Sequence, residues 1–355
     1  MRRNIDSMPP AEDTKLVDDE LNGETEIEDE AEGGPTEEIV EMRYTVEPNY
    51  AGWRLDKYLT QKIKRASRTR IQEIIENDLV FERKLKSSTT VWAGLTFCLR
   101  RRMLIEPTVP GVEALREVFL DEWLLVLDKP PGLPIHATAR YHNNTLVGHL
   151  LLKYGEGFAA WPAHRLDRET SGLVVCGRTS AVGAKLAALF KANAVSKEYV
   201  AIVEGQPPDQ FDVDAPIAEG TELIRIAVRI DRAAGREAQT HFEVTSRFER
   251  DGAHFAIVRC VPRTGRQHQI RIHAREAGFP LVGDKMYGPN PEYFDRFTKK
   301  TLDAEAWAML RLPRHALHAS ALAFEHPGTR QRARFEAALP PDLQAFVDGR
   351  PLPGP

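Results

Sequence analysis

From residue 118 to residue 261 short apolar runs recur, most of them separated by turn residues, and this rhythm restricts the chain to a sheet-based fold. Val118-Phe119-Leu120 and Leu124-Leu125-Val126-Leu127 flank Asp121-Glu122 in a hairpin pattern. Further strand-like stretches are expected at 172–177, 198–204, 223–230, 240–248 and 254–261, with Asp251-Gly252 as the turn joining the last two. Helices fit 180–193, after a Thr179/Ser180 cap, and about 265–277, before Gly278 and Pro280. Strands dominate and helices interrupt them irregularly. That order predicts an α+β domain built on a mixed, largely antiparallel sheet with flanking helices, rather than an alternating parallel one.

A chain of 355 residues has room for two domains, and charge marks where they divide. The formal net charge of −4 conceals fifteen acidic against three basic residues in 1–42, and thirteen basic against six acidic residues in 53–106. Residues 1–42 are too poor in apolar side chains to offset chain entropy and read as an acidic disordered tail, a solvated spacer. Residues 43–106 read as a small αβ module. Leu55, Tyr58, Leu59 and Ile63 recur at helical spacing, and Ile71, Ile74 and Ile75 follow in a second helix capped by Ser67. Arg54, Lys57, Arg65, Arg68 and Arg70 lie on and between these helices, a footprint suited to a phosphate backbone. Pro107 to about residue 114 reads as a linker, 115–335 as the main domain, and the Pro-rich 336–355 as a loose tail.

Several function classes are disfavoured at this level. No apolar run approaches the roughly 20 residues of a membrane helix, and Met1-Arg2-Arg3-Asn4 leads into acidic residues rather than an apolar signal region. Cys98, Cys176 and Cys260 are widely spaced, which fits small buried side chains in a reducing cytoplasm better than disulfides or zinc. His268 and His273 lack a cysteine or carboxylate partner that would complete a metal site, so neither metal nor cofactor is expected.

The chemistry-bearing run is His164-Arg165-Leu166-Asp167-Arg168-Glu169-Thr170-Ser171-Gly172-Leu173. A carboxylate flanked by guanidiniums at the mouth of a strand is held ionised, poised as a base or nucleophile rather than a proton donor. Three other segments stand out: Leu127 to His136, the strand Lys197-Glu198-Tyr199-Val200-Ala201-Ile202-Val203-Glu204-Gly205, and Thr264-Gly265-Arg266-Gln267-His268-Gln269-Ile270-Arg271-Ile272-His273 with its continuation Gly283-Asp284-Lys285-Met286-Tyr287-Gly288.

Together with Leu317-His318-Ala319 and Leu322 to Pro327, these ordered motifs resemble the RluA-type RNA pseudouridine synthases over about residues 115–335. The module at 43–106 resembles the small RNA-binding domain named after ribosomal protein S-four, although Phe81-Glu82-Arg83-Lys84 and Ala93-Gly94-Leu95 depart from its usual turns. The resemblance implies a cofactor-independent isomerase in which Asp167 detaches uracil from ribose so that the base can rotate and rejoin through carbon 5. Attack by the carboxylate and removal of a ribose proton both remain open as its role. Arg271 is implied as its cationic partner, because a guanidinium stays charged and pairs bidentately with a carboxylate. Tyr199 is implied as the active-site tyrosine. Arg165 is implied to help displace the target nucleotide, which must leave its stack before the base can turn. His164 is expected to orient the turn, while Lys129, Arg168, Arg266, His268 and Lys285 are expected to contact phosphates. A monomer acting on large-subunit ribosomal RNA is expected, with transfer RNA second. A non-catalytic RNA-binding assembly factor and a nucleoside hydrolase are the other readings.

Overall fold

The computed structural model describes residues 36–63, 66–138, 140–155, 157–220 and 227–352, with the backbone alone at 36–38 and 101–105. The chain divides into two compact units, Pro35–Glu106 and a larger one from Pro107 onward.

In the smaller unit the elements are β1 (Thr36–Thr45), α1 (Leu55–Lys62), α2 (Arg68–Asn77), β2 (Leu79–Val80) and β3 (Thr96–Ile105). The strands form an antiparallel sheet in the order β1-β3-β2. The apolar stripe read from sequence becomes the core: Leu55, Tyr58, Leu59, Ile63, Ile71, Ile74 and Ile75 pack on Leu95, Phe97 and Leu99. The Ser67 side chain caps α2 by accepting the Arg70 amide at 3.2 Å.

The acidic tail was expected to run through residue 42, but Thr36–Met42 belongs to β1. Tyr44 stacks on Phe97, and Glu41 lies opposite Arg100 and accepts its Nε at 3.1 Å. The end of the acidic run is thus the cross-strand complement of a basic strand. Residues 1–35 lie outside the described residues, as does Arg65.

In the larger unit the strands are β4 (Arg116–Leu120), β5 (Leu124–Lys129), β6 (Trp161–Pro162), β7 (Ser171–Gly177), β8 (Ser196–Glu204), β9 (Gln210–Asp214), β10 (Ile217–Ala218), β11 (Arg229–Ile230), β12 (Gln239–Arg250), β13 (Ala253–Pro262), β14 (Leu317–Glu325) and β15 (Arg332–Glu336). The helices are α3 (Leu146–Tyr154), α4 (Ser180–Lys191), α5 (Gln269–Glu276), α6 (Tyr293–Thr298), α7 (Ala304–Leu310) and α8 (Pro341–Val347). Ten strands make one mixed sheet along β4-β5-β7-β14-β8-β13-β12-β9, with β15 beside β14 and β6 beside β7. Its one parallel pair is β7 with β14; the other pairings are antiparallel. The expected α+β class is therefore the observed one. Of the strand expected at 223–230, residues 221–226 lie outside the description and Arg229–Ile230 pairs with β10.

Two boundaries are corrected. Residues 107–114 are not a free linker. The Pro107 carbonyl accepts Asn144 Nδ2 at 3.0 Å, the Pro110 carbonyl lies 2.9 Å from His149 Nε2, and Val109 packs on the core of β5, β7 and α3. Of the loose tail expected at 336–355, the described residues 336–352 are packed, because Pro341 begins a helix whose Leu343 and Phe346 are buried against Ile202, Phe255, Val282 and Leu312. Proline suits the first turn of a helix, where its missing N–H costs nothing.

The centre of the sheet positions the site. Ala319 of β14 is in register with Gly172 of β7 on one side and Tyr199 of β8 on the other. Gly172 has φ +112°, and a Cβ there would lie 2.3 Å from the Ala319 carbonyl oxygen. Only glycine lets the two strands approach this closely. The His164–Thr170 turn is thereby delivered at the head of β7, two strands from Tyr199.

Candidate active site

Asp167 lies in the turn that enters β7, with its side chain about one-fifth exposed. Arg271 reaches it from α5, donating through Nη1 to Oδ2 at 2.9 Å. Gln269 anchors the start of that helix: its Oε1 accepts from Thr264 Oγ1 (2.7 Å) and the Arg266 amide (3.0 Å), and its Nε2 donates to the Gln239 carbonyl (2.9 Å). The helix begins at Gln269 rather than near 265, because residues 265–268 are spent on the turn that these bonds hold.

Arg271 is itself held from behind. Its Nε and Nη2 donate to Asp284 Oδ2 (2.7 Å) and Oδ1 (3.0 Å), a bidentate pair with no exposed carboxylate surface. Asp284 Oδ1 also accepts the amides of Met286 and Tyr287, both at 2.9 Å. Burial raises the Asp284 carboxyl, but the Arg271 charge and these bonds prevail and hold it at about 2. Burial likewise works against Asp167. His268 and the Arg271 guanidinium, both close to Oδ2, outweigh it and leave the carboxyl well below the usual carboxylate range. Against the desolvation that lowers it, Arg271 is held charged by Asp284 and then Asp167. The site thus contains an ionised, partly accessible carboxylate whose charge is set by fully enclosed groups.

Tyr199, on the face of β8 beside this turn, is half-buried, and burial followed by the Asp167 charge pushes its phenol far up. It is a neutral ring at any physiological pH. Arg165 is mostly enclosed, with burial lowering its guanidinium against the opposing pull of Asp167. Arg168 donates to the Tyr141 hydroxyl at 3.0 Å and is half-buried. Arg266 is half-buried and donates to the Glu237 carbonyl at 3.1 Å. His164 stacks on Phe190 and accepts the Val175 amide through Nε2 at 3.1 Å. Burial drives it down to about 3, so it is a neutral brace for the turn.

Three residues expected at phosphates are instead interior. Lys129 is completely buried, and its Nζ donates to the carbonyls of Pro130 (3.0 Å), Leu133 (3.0 Å) and Arg168 (3.1 Å). Burial pushes its amine down to about 7. The three carbonyls oppose this, because only an ammonium carries three N–H donors. Lys285 is buried and pairs with Glu169 at 2.7 and 3.0 Å. His268 is buried with Nε2 3.9 Å from Asp167 Oδ2. Isolated lysines and histidines read as surface groups in a sequence; each of these is buried because a specific acceptor awaits it.

The structure adds residues to which the sequence assigned no role. Asp284 and Tyr287 were visible only as part of a quoted run. Glu169 likewise stood only within the quoted run at 164–173, and His315, Arg314 and Asp342 had no signal at all. His315 Nε2 lies 2.7 Å from Thr170 Oγ1, and its Nδ1 lies 3.5 Å from Glu169. Arg314 donates to the Glu169 carbonyl at 3.2 Å and is gripped bidentately by Asp342 of α8 at 2.7 and 3.1 Å. The turn that holds Asp167 is therefore tied to the far end of the chain. Among the described residues no group of three or more His, Cys, Asp or Glu is arranged to hold a metal ion. No helix among them is long and apolar enough to cross a membrane.

In the smaller unit Arg54, Lys57, Arg68 and Arg70 are exposed. Two already have acidic neighbours: Arg54 pairs with Asp56 (2.7 Å) and Arg70 with Glu73 (3.0 Å). Lys57 lies 4.4 Å over the ring of the half-buried Trp53, placing a cation on an aromatic face.

The stretch of chain that carries this carboxylate matches a known family. Residues 123–276 match RNA pseudouridylate synthase. A Zymomonas mobilis protein named ribosomal large subunit pseudouridine synthase D is 32% identical over 87% of this chain and 96% of its own. A Pseudomonas aeruginosa protein of the same name is 35% identical over 82% and 90%. The solved structure of human RNA pseudouridylate synthase domain containing 4 superposes with a TM-score of 0.52 at 25% identity, covering 67% of this chain and 94% of that one. This chain belongs to the RNA pseudouridylate synthase family, in its RluA-type branch.

Proposed function

We propose that this protein converts specific uridines of large-subunit ribosomal RNA to pseudouridine, with Asp167 as the reacting group. The observation that carries the proposal is the Asp167–Arg271–Asp284 chain: a carboxylate kept ionised without being occluded, one-fifth exposed beside a neutral tyrosine. Cleaving the bond from uracil to ribose, by either route open to a carboxylate, needs that ionised form and a partner that keeps its charge in a water-poor setting. Arg271 meets the second need because Asp284 compensates the charge it would otherwise bury. Tyr199 offers a ring for the base to stack on, and its raised phenol keeps its proton. Arg165 supplies a guanidinium in the same turn to fill the space of an extruded nucleotide, an exchange that offsets an unstacking cost of a few kcal/mol. The ribosomal target follows the printed names of the relatives. The exposed Arg54, Lys57, Arg68 and Arg70 would supply salt-dependent grip on folded RNA.

The test is to incubate the protein and its Asp167→Ala variant with ribosomal and transfer RNA transcripts. Pseudouridine is then mapped by nucleoside mass spectrometry and reverse-transcription stops. Modification of ribosomal transcripts by the parent protein and none by the variant is expected. RNA that is tightly bound but unmodified would reduce the protein to a binder. Free uracil in the supernatant would make it a hydrolase, and modification confined to transfer RNA would move the substrate.

A further inference from the structure

His268 is held from three sides, although it has no surface to offer a ligand. Its side chain is fully enclosed. Its backbone has φ +51°, a left-handed conformation that non-glycine residues seldom keep unless the surroundings impose it. It is the N-cap of α5, three residues before Arg271, and both side chains reach toward the same oxygen of Asp167. Its Nδ1 lies 2.9 Å from the Tyr287 hydroxyl, and that hydroxyl accepts the Val228 amide at 2.7 Å. An ionised Asp167 facing Nε2 favours a proton on that nitrogen, which leaves Nδ1 to accept from the Tyr287 hydroxyl. The imidazole proton then resides on Nε2, 3.9 Å from Asp167 Oδ2, the oxygen that Arg271 also reaches.

We propose that His268 is a positioning residue for Asp167. Tyr287 fixes its tautomer so that Nε2–H is presented to Oδ2, and Arg271 and His268 together hold one carboxylate oxygen and turn the other, Oδ1, toward the reacting nucleotide. At 3.9 Å the contact is electrostatic in the free protein. It shortens to a hydrogen bond when RNA closes the site, as catalytic contacts in unliganded enzymes commonly do. His268 therefore does not contact phosphate. It acts on the substrate through Asp167, and this inference rests on the proposed synthase activity.

The titratable and charged groups coupled to Asp167 are Arg271 and His268 at α5, Tyr199 from β8, Lys129 from β5, Tyr287, His315 ahead of β14, and Arg165 in its own turn. The experiment leaves all of these but His268 in place. Asparagine tolerates the left-handed backbone and places its amide where Nδ1 lies, short of Asp167. Glutamine places an N–H where Nε2 lies. His268→Asn is expected to lower kcat on a ribosomal transcript about 10- to 100-fold with KM unchanged, and to shift the acidic limb of the kcat–pH profile upward, because Asp167 loses a donor that favours its anion. His268→Gln is expected to restore most of kcat and to return the limb toward the parent position. Equal kcat for the Asn and Gln variants, or an unmoved acidic limb in His268→Asn, would overturn the inference while a parent enzyme that makes pseudouridine leaves the proposed function standing. A parent enzyme with no activity on any RNA would instead remove that function. If His268→Asn melts below the assay temperature, Tyr287→Phe tests the same relay. It leaves the tautomer unset and is expected to reproduce the limb shift with a smaller kcat loss; an unchanged profile overturns the inference.

Discussion

Replacing Asp284 with asparagine isolates the support behind the proposed catalytic pair, Asp167 and Arg271. The shape is conserved, and an asparagine Oδ1 still accepts the Met286 and Tyr287 amides. Its Nδ2, however, then faces Arg271 Nε across 2.7 Å, donor against donor, and the charge compensating a guanidinium buried to 7% exposure is lost. Removing one partner of a buried ion pair costs about 3–5 kcal/mol. The carboxyl itself gives a figure of the same order: it is held at about 2 against an ordinary 3.8. At about 1.4 kcal/mol per pH unit that difference corresponds to roughly 2 kcal/mol of stability at neutral pH. Urea unfolding reads this directly. With a slope of about 1–3 kcal/mol/M, a loss of 3 kcal/mol moves the midpoint by about 1–3 M. Activity reports the second consequence: Arg271 is no longer held from behind, so kcat on a ribosomal transcript should fall about 10- to 100-fold while KM changes little. A midpoint shifted by less than about 0.5 M together with kcat within about twofold of the parent would refute the claim that Asp284 sets Arg271 in place.

Gly172→Ala should destabilise by about 2–4 kcal/mol in thermal or urea melts, since its positive φ alone costs about 1–2 kcal/mol and the new Cβ would meet the Ala319 carbonyl at 2.3 Å. Lys129→Met should lower the melting temperature by leaving three carbonyls without their donor, at about 1–3 kcal/mol for each one not rescued by water. The salt slope of RNA binding should stay constant in that variant; a flatter slope would return Lys129 to a phosphate. Asp342→Ala should lower kcat without weakening RNA binding, because Arg314 loses the carboxylate that aims it at the turn after Asp167. Asp167, Glu169 and Asp284 all have carboxyls held below their ordinary values of 3.8 to 4.5, so their stabilisation is fully present above about pH 5 and drains continuously as pH falls to 2 and beyond. Unfolding monitored from pH 6 down to 2 should show the loss begin only below about pH 5.

What could be read from the sequence followed the range of the physics involved. Helix α2 and its Ser67 cap, helix α4 and its Thr179 cap, and the hairpin at Asp251-Gly252 are local, and each appears where its pattern lies. Asp167, Tyr199 and Arg271 were grouped by their ordered motifs and lie on a turn, a strand and a helix around the centre of the sheet. The supports were hidden because they are made at long range. Nothing local to Asp342 indicates that it grips Arg314, and Pro340-Pro341 read as a tail because its buried partners Phe255 and Val282 are far away in sequence. Lys129, Lys285 and His268 were misplaced for one shared reason. Charged side chains are outside by default, and only the folded chain reveals the carbonyls and carboxylates that make their burial tolerable.

The grip of Asp342 on Arg314 also sets an order of assembly in time. A growing chain exposes Asp167 long before Arg314 and α8 have been synthesised, and domains fold as units once their parts are available. Until then the turn after Asp167 lacks the bonds to its Glu169 carbonyl and the helix that buries Leu343 and Phe346. With Asp167 in its proposed role, catalytic competence therefore arrives with the last helix. A nascent or prematurely ended chain that already carries every residue of the reacting centre would lack the brace that keeps that centre in shape.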